Sequence, residues 1–297
     1  MYINHNQMAA SVANNLSGHY NNLSVSTQRL SSGLRVNGAA DDAAGLAIRE
    51  LMRADIAALQ QGVRNANDAI SLIQTADGAL GVIDEKLIRM KELAEQAATG
   101  TYDSTQRLMI ESEYQAMASE ITRIANATDF NGIKLLDGSL STEHAGSGGG
   151  DNGLESTGAL KVHFGTMNDA AEDYYYIAIG NCTASALGVG AEAAGADAAT
   201  VSTQAAAQAA LVGIQAAIVS KDTIRAHLGA MQNRLENTIT NLTTQAENLQ
   251  AAESRISDVD VATEMTQFVR NQILTQSAVA MLSQANQMPQ LAMQLIR

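Results

Sequence analysis

Tryptophan is absent, proline occurs once (Pro289), cysteine once (Cys182), and aromatic residues make up only 3% of the 297-residue chain. Each scarcity excludes something. A single cysteine permits no intrachain disulfide, so Cys182 reads as a small, semi-buried side chain. With few aromatics and few helix breakers, Ala, Leu, Ile, Met, Gln and Asn dominate, a mixture that favours long uninterrupted helices over a thick globular core. Positive charge is also short. Eighteen Lys and Arg face 31 Asp and Glu, a net charge of −13, and no basic run exists that could neutralise a phosphate backbone, so nucleic acid is excluded as a partner. The most apolar stretch, residues 184–199, is interrupted by Glu192 and Asp197, so no membrane span is expected. Residues 1–20 carry neither a basic n-region nor an apolar h-region, and a cleaved Sec-type signal is not expected.

Catalytic and metal-binding patterns are equally scarce. His5, His19, His144, His163 and His227 are scattered, with no H-E-x-x-H and no Cys/His cluster, so no zinc site is expected. The neighbouring carboxylates Asp41-Asp42 and Glu111/Glu113 suit helix capping and a solvated helix face. The run GSGGG (146–150) is followed by no G-K-[ST] and is not a phosphate loop. The N-x-S/T triplets at Asn15, Asn126, Asn181 and Asn241 read as ordinary polar helix and loop positions. The expectation is a protein that is not an enzyme, with no catalytic residue and no cofactor.

What the chain does have is periodicity. After Asp41-Asp42, apolar residues recur at Ile48, Met52, Ile56, Leu59, Val63, Ala66, Ile70, Ile73, Ala76, Leu80, Ile83, Leu87, Met90, Ala94 and Ala97, a mean spacing of 3.5 residues. That is a coiled-coil seam, ended by Thr99-Gly100. Asp103 and Gln106 have the spacing of a capping box for a shorter helix to about Thr128. A second seam with the same spacing runs through Leu228, Met231, Leu235, Ile239, Leu242, Ala246, Leu249, Ala252 and Ile256, and its helix is expected to begin near Ser202. Two such seams separated by a non-helical middle predict antiparallel pairing. In that middle, Asn131-Gly132 marks a tight turn. Residues 160–164 and 174–179 read as strands of a hairpin, and 139–158 as an exposed loop. Two outer helices complete the pattern. One carries Met8, Val12, Leu16, Tyr20, Leu23, Leu30 and Leu34; the other carries Val261, Met265, Phe268, Ile273, Val279, Leu282, Leu291 and Leu295. Their apolar stripes have little internal core to enter and are expected to face a partner. The fold class is therefore mainly α: a long antiparallel coiled-coil rod, a small β-hairpin region and paired terminal helices.

The motifs along these elements resemble those of bacterial flagellin. QRLSSGLRVN (28–37), DDAAGLAI (41–48), RNANDAIS (64–71), QTADGAL (74–80), RMKELA (89–94) and FNGIKLL (130–136) resemble the family's amino-terminal block. LGAMQNRL (228–235), SRISD (254–258), ATEM (262–265) and QANQMP (284–289) resemble its carboxyl block. The resemblance implies a short form without large outer domains. It places residues 1–42 and 258–297 in an inner helical domain, 43–140 and 201–257 in a rod domain, and 141–200 in a variable hairpin and loop region. It implies a structural subunit of the extracellular flagellar filament for motility, polymerising with its own kind and exported unfolded with the help of the export apparatus, an export chaperone and a cap. The residues expected to drive assembly are Met8, Val12, Leu16, Leu23, Leu30, Met265, Phe268, Leu282, Leu291 and Leu295. The residues matching the surface that Toll-like receptor 5 recognises on many flagellins are Arg89, Leu93 and Glu113. The hook–filament junction protein shares the terminal helices and is the alternative within this class. A coiled-coil signalling domain would show the heptads without the apolar ends.

Overall fold

The structure is a computed structural model and describes residues 6–141, 158–169, 172–191 and 198–295, with side chains described as far as residue 288. Most of the expected loop, 142–157, lies outside these residues. In chain order the elements are α1 (Gln7–Ser32), α2 (Ala43–Ala98), α3 (Ser104–Ala127), β1 (Asp129–Phe130), β2 (Ile133–Lys134), β3 (Leu160–His163), β4 (Tyr174–Ile177), α4 (Ala184–Leu187), α5 (Gln204–Ser257) and α6 (Val261–Leu295). They form two compact units: Met1–Ile56 with Ala246–Arg297, and Ala57–Gln245. Helices α2 and α5 contribute residues to both.

The second unit, Ala57–Gln245, owns the core. The α2 seam is buried from Leu59 onward, through Ala66, Ile73, Ala76, Leu80, Ile83, Leu87, Met90, Ala94 and Ala97. Ile48, expected at its start, is instead exposed, because full burial requires the neighbours that only this unit supplies. Helix α3 adds Ile110, Tyr114, Ala118, Ile121 and Ala125 at heptad spacing, and its first turn is closed by the Asp103 N–H donating to Gln106 Oε1 at 3.0 Å. Helix α5 contributes Ala207, Ala210, Ile214, Ala217, Leu228, Met231 and Leu235. Its seam holds one residue that apolar counting passes over: Lys221 takes the position between Ala217 and Leu228, and its side chain is only 1% exposed.

Lys221 Nζ donates to Asp84 Oδ1 at 2.6 Å and pairs with Asp222 Oδ1 at 2.7 Å. One heptad away on α2, Asp77 receives the Arg225 Nε–H at 2.6 Å; one heptad the other way, Lys91 Nζ donates to Gln215 at 2.7 Å. Partners rise along α2 and fall along α5, so the two helices are antiparallel. A charged residue in a seam is tolerated only in the register that gives it a partner. Burial alone would lower the Lys221 ammonium pKa, but its hydrogen bonds to Asp222 and Asp84 outweigh it and hold the pKa above the ordinary lysine value. With a folded pKa raised, the stabilisation is fully present at neutral pH and is lost only as pH rises through the folded pKa, above the usual lysine range.

Two small hairpins close the other side of this core. Strands β1 and β2 pair Asp129 with Lys134 and Phe130 with Ile133 across Asn131 (φ 52) and Gly132 (φ 83), the two left-handed residues that such a two-residue turn requires. Strands β3 and β4 pair Leu160 with Ile177 through His163 with Tyr174 and bury Val162 and Ile177. Leu140 is fully buried and its carbonyl accepts the Ile179 N–H, so the segment expected to be exposed from residue 139 begins packed. Helix α4 carried no clear pattern in the sequence. It is a single turn capped by Thr183, whose Oγ1 accepts the Ala186 N–H, and its Ala184 and Leu187 are buried. Cys182 is also fully buried rather than semi-buried; burial pushes its thiol up to about 11, against the opposing charge of Lys221.

Two outcomes follow. Asp84→Ala leaves a buried ammonium with only the more exposed Asp222 and should destabilise the chain by about 3 kcal/mol in urea unfolding. Asp77→Ala, whose partner Arg225 is 41% exposed, should cost no more than about 1 kcal/mol. Cys182 should stay unlabelled by maleimide at pH 8 in the folded chain and react fully in guanidinium, because a buried protonated thiol is not a nucleophile.

Candidate assembly and receptor surfaces

Helices α1 and α6 pair within the first unit, antiparallel, with Asn6 Nδ2 donating to the Ala285 carbonyl at 2.8 Å and Arg29 lying 3.8 Å from Glu264. Their facing lines repeat every 3.5 residues. On α1 the line runs through Ala9, Val12, Leu16, His19, Leu23, Ser26 and Leu30, and on α6 through Glu264, Phe268, Asn271, Thr275, Ala278, Leu282 and Ala285, all partly or fully buried. The seam is mixed in polarity, with Val12, Leu16, Leu23, Leu30, Phe268 and Leu282 half-buried beside polar positions. Among the described residues of the two helices, the fully buried ones are Ser26, Glu264, Thr275 and Ala285, three of them polar. Arg29 Nε is buried there without a hydrogen-bond partner. Many other large apolar side chains point the other way: Met8, Tyr20 and Val25 on α1, and Val261, Met265, Val269, Ile273, Leu274, Val279, Met281 and Met288 on α6 are exposed. Helix α6 thus presents apolar residues on all sides, the pattern of a helix meant to be surrounded.

The turn between α1 and α2 explains the densest sequence motif. Gly33 adopts the left-handed conformation (φ 73) and ends α1, its N–H donating to the Arg29 carbonyl; Leu34, counted with α1 by its apolar character, lies beyond the helix and bridges to Asp258. Arg35 donates its backbone N–H to the Ser257 carbonyl and its guanidinium to the Ile256 carbonyl, both at 2.7 Å. Asp42 accepts the Gly45 N–H at 2.9 Å and caps α2, whereas Asp41 accepts the amides of Asn37 and Gly38 and fixes the turn itself. The two carboxylates expected to cap one helix therefore divide the work.

The expected receptor residues come from α2 and α3. Arg89 donates to Glu113 Oε1 through Nε at 3.0 Å and through a terminal nitrogen at 2.7 Å, and to Glu92 at 2.9 Å. These bonds, that with Glu113 foremost, raise the guanidinium pKa. Arg89, Glu92 and Glu113 are all solvent-accessible. Leu93 is not: at 1% exposure it belongs to the core. The expectation that Arg89 and Leu93 form one surface anchor is corrected accordingly, since the side chain one turn on from Arg89 rotates under α3. Sequence reasoning missed Glu92, although its i,i+3 spacing from Arg89 signals the pair.

The expected assembly residues divide in two. Val12, Leu16, Leu23, Leu30, Phe268 and Leu282 are half-buried against the partner helix of the same chain. Met8 and Met265, the latter 45% exposed, face away from it, and Glu264 takes the inward position beside Met265. The side chains of Leu291 and Leu295 lie outside the described residues. No group of three or more His, Cys, Asp or Glu able to hold a metal ion occurs among the described residues, and none of their helices is long and apolar enough to cross a membrane.

Residues 3–141 match the bacterial flagellin N-terminal helical region and residues 211–296 match the bacterial flagellin C-terminal helical region. The chain is 42% identical to the flagellin of Halalkalibacterium halodurans and 44% identical to that of Bacillus subtilis, covering 100% of both partners in each comparison. It also shares a fold with a solved structure described as a putative flagellar hook-associated protein from Vibrio parahaemolyticus (TM-score 0.55, 14% identity, 73% of this chain and 100% of that one). The helical blocks, their order and the full-length identity lead to one assignment: the chain belongs to the bacterial flagellin family, a family of structural filament subunits.

Proposed function

We propose that this chain polymerises through the outward apolar surfaces of α1 and α6 into a flagellar filament that serves motility. The observation that carries the proposal is the apolar surface that the α1–α6 pair leaves uncovered, with Met265, Ile273, Val279 and Met281 outside while Ser26, Glu264 and Thr275 take inward positions. Covering one such apolar side chain contributes about 1.5–3 kcal/mol, so neighbouring copies gain stability that the single chain lacks. In this reading residues 1–42 and 258–297 are the assembly-dependent part, 43–140 with 201–257 the self-supporting part, and 141–200 the variable region. Met8 and Met265 meet neighbouring subunits; Val12, Leu16, Leu23, Leu30, Phe268 and Leu282 set the helix pair that presents them, and Leu291 and Leu295 extend it. Export unfolded through the flagellar type III apparatus, with an export chaperone and a cap, follows from the family resemblance. Full-length identity of 42–44% to proteins named flagellin supports this reading over the hook–filament junction protein, since the likeness to the hook-associated protein extends to the fold alone.

A second reading concerns Arg89 and Glu113, which form an exposed ion pair that we propose as the contact for Toll-like receptor 5. Leu93 supports it from below rather than touching the receptor.

Deleting residues 260–297 should leave a helical, soluble chain that does not pellet with filament seeds; circular dichroism and sedimentation read both properties. Ordered filaments from the truncated chain would remove the assembly role of α6. Arg89→Ala and Glu113→Ala should each reduce receptor activation roughly tenfold, the size of one interface anchor, with unchanged helix content. Leu93→Ala should instead lower stability by about 2–5 kcal/mol as a cavity mutation. Receptor activation by Arg89→Ala equal to that of the parent chain at matched concentration would contradict the contact.

A further inference from the structure

Methionine is distributed unevenly along the chain. Helix α6 carries four in 35 residues (Met265, Met281, Met288 and Met293), against two in the 56 of α2 and one in the 54 of α5. Burial divides them further. Met90 and Met231, in the unit Ala57–Gln245, are 0% and 8% exposed, whereas Met8 and Met281 are 62% exposed, Met265 45% and Met288 38%. Met281 and Met288 lie a heptad apart and share one line of α6, while Met265 stands on another. An unbranched thioether adapts to irregular contacts, which suits a surface that other copies of the chain must cover. It is also, with cysteine, the side chain that mild peroxide oxidises. Cys182 does not compete for the oxidant, because it is fully buried and protonated, and peroxide attacks thiolates.

The chemistry is a two-electron transfer. A lone pair of the thioether sulfur attacks one oxygen of hydrogen peroxide, an S–O bond forms and the O–O bond breaks. The departing hydroxide takes the proton of the transferred oxygen and leaves as water, so the sulfur is oxidised and the peroxide reduced. The sulfoxide carries a strong hydrogen-bond acceptor where an apolar atom stood. In the free chain water solvates that oxygen, and the helices are undisturbed. Between two copies it must shed the water, and the outward residues around it, such as Val269, Ile273 and Val279, offer no side-chain donor. We propose that Met8, Met265, Met281 and Met288 form an oxidation site for hydroperoxides that decides whether a free chain joins a filament. Oxidised chains stay unassembled, while chains already in a filament are spared because their neighbours cover these sulfurs. The proposal rests on the filament reading above and adds a chemical control to it.

Free full-length chains treated with dilute hydrogen peroxide, cleared of it with catalase and added to filament seeds test this. Peptide mass mapping should show oxygen gained at Met8, Met265, Met281 and Met288 before Met90 and Met231, with an unchanged circular dichroism spectrum. Seeded elongation should fall about tenfold, the order expected for burying a polar group without a partner. Methionine sulfoxide reductases of both epimer specificities should restore it. A chain carrying Met8→Leu, Met265→Leu, Met281→Leu, Met288→Leu and Met293→Leu keeps similar apolar volume. After peroxide it should elongate at its untreated rate, although Met109 and Met167, exposed elsewhere, still gain oxygen. Undiminished elongation of oxidised parent chains overturns the proposal, and so does an equal loss in the leucine variant. Should that variant not assemble even untreated, the parent decides, since a loss that the reductases do not reverse also overturns it. Equal oxidation rates of these methionines in free chains and filaments do the same. If untreated parent chains form no filaments, the filament reading fails first, and the control falls with it.

Discussion

An apolar stripe that repeats every 3.5 residues is narrow, and water is excluded from it only by another stripe of the same period. Everything else in this chain follows from where that partner is found. Between Ala66 and Ala97 the stripe on α2 meets α3, α5 and the two hairpins, and its residues are removed from solvent almost completely. Because Ala recurs in the seams of α2, α3 and α5, the helices approach closely with few aromatic side chains between them. A seam so uniform would tolerate sliding by a heptad. Lys221 opposes this, since any shift along α2 separates its buried ammonium from Asp84.

Helices α1 and α6 obey the same period and leave much more apolar surface uncovered. Their mutual seam is partly polar, and many of their large apolar side chains face outward. Folding of the single chain thus satisfies helix geometry without hiding the apolar surface, and the ordering entropy of both helices is only partly offset. The net charge of −13 favours solubility of the single chain, and in the proposed filament neighbouring copies would cover this surface. The connecting turn is specified in detail: Arg35 ties it to the carbonyl at Ile256, and Asp41 holds the amides of Asn37 and Gly38. This places the motif of residues 28–48 in a structural role.

The long helices, their ends and the antiparallel pairing were legible in the sequence because heptad spacing and the breakers Gly33, Thr99-Gly100 and Asp258 act locally. The Asn131-Gly132 turn and the hairpin of residues 160–164 and 174–179 were legible for the same reason. What escaped depended on long-range packing. Lys221 sits in a seam where its type argues for the surface, and only Asp84, 137 residues away in sequence, explains it. Helix α4 has one turn and no period to detect. Leu93 was assigned to the surface and is buried: a rotation of one position decides whether a residue meets a neighbour or solvent, and apolar character alone does not report that rotation.

The central claim is that one part of the chain is stable alone while α1 and α6 are stabilised by assembly. Amide hydrogen exchange, measured on the free subunit and on filaments of the same chain, tests it most directly. The account predicts that the amides of residues 66–97 and 207–235 are protected in both states, and that those of α1 and α6 exchange rapidly in the free subunit and slowly in the filament. Equal protection of α1, α6 and the α2 seam in the free subunit would contradict it.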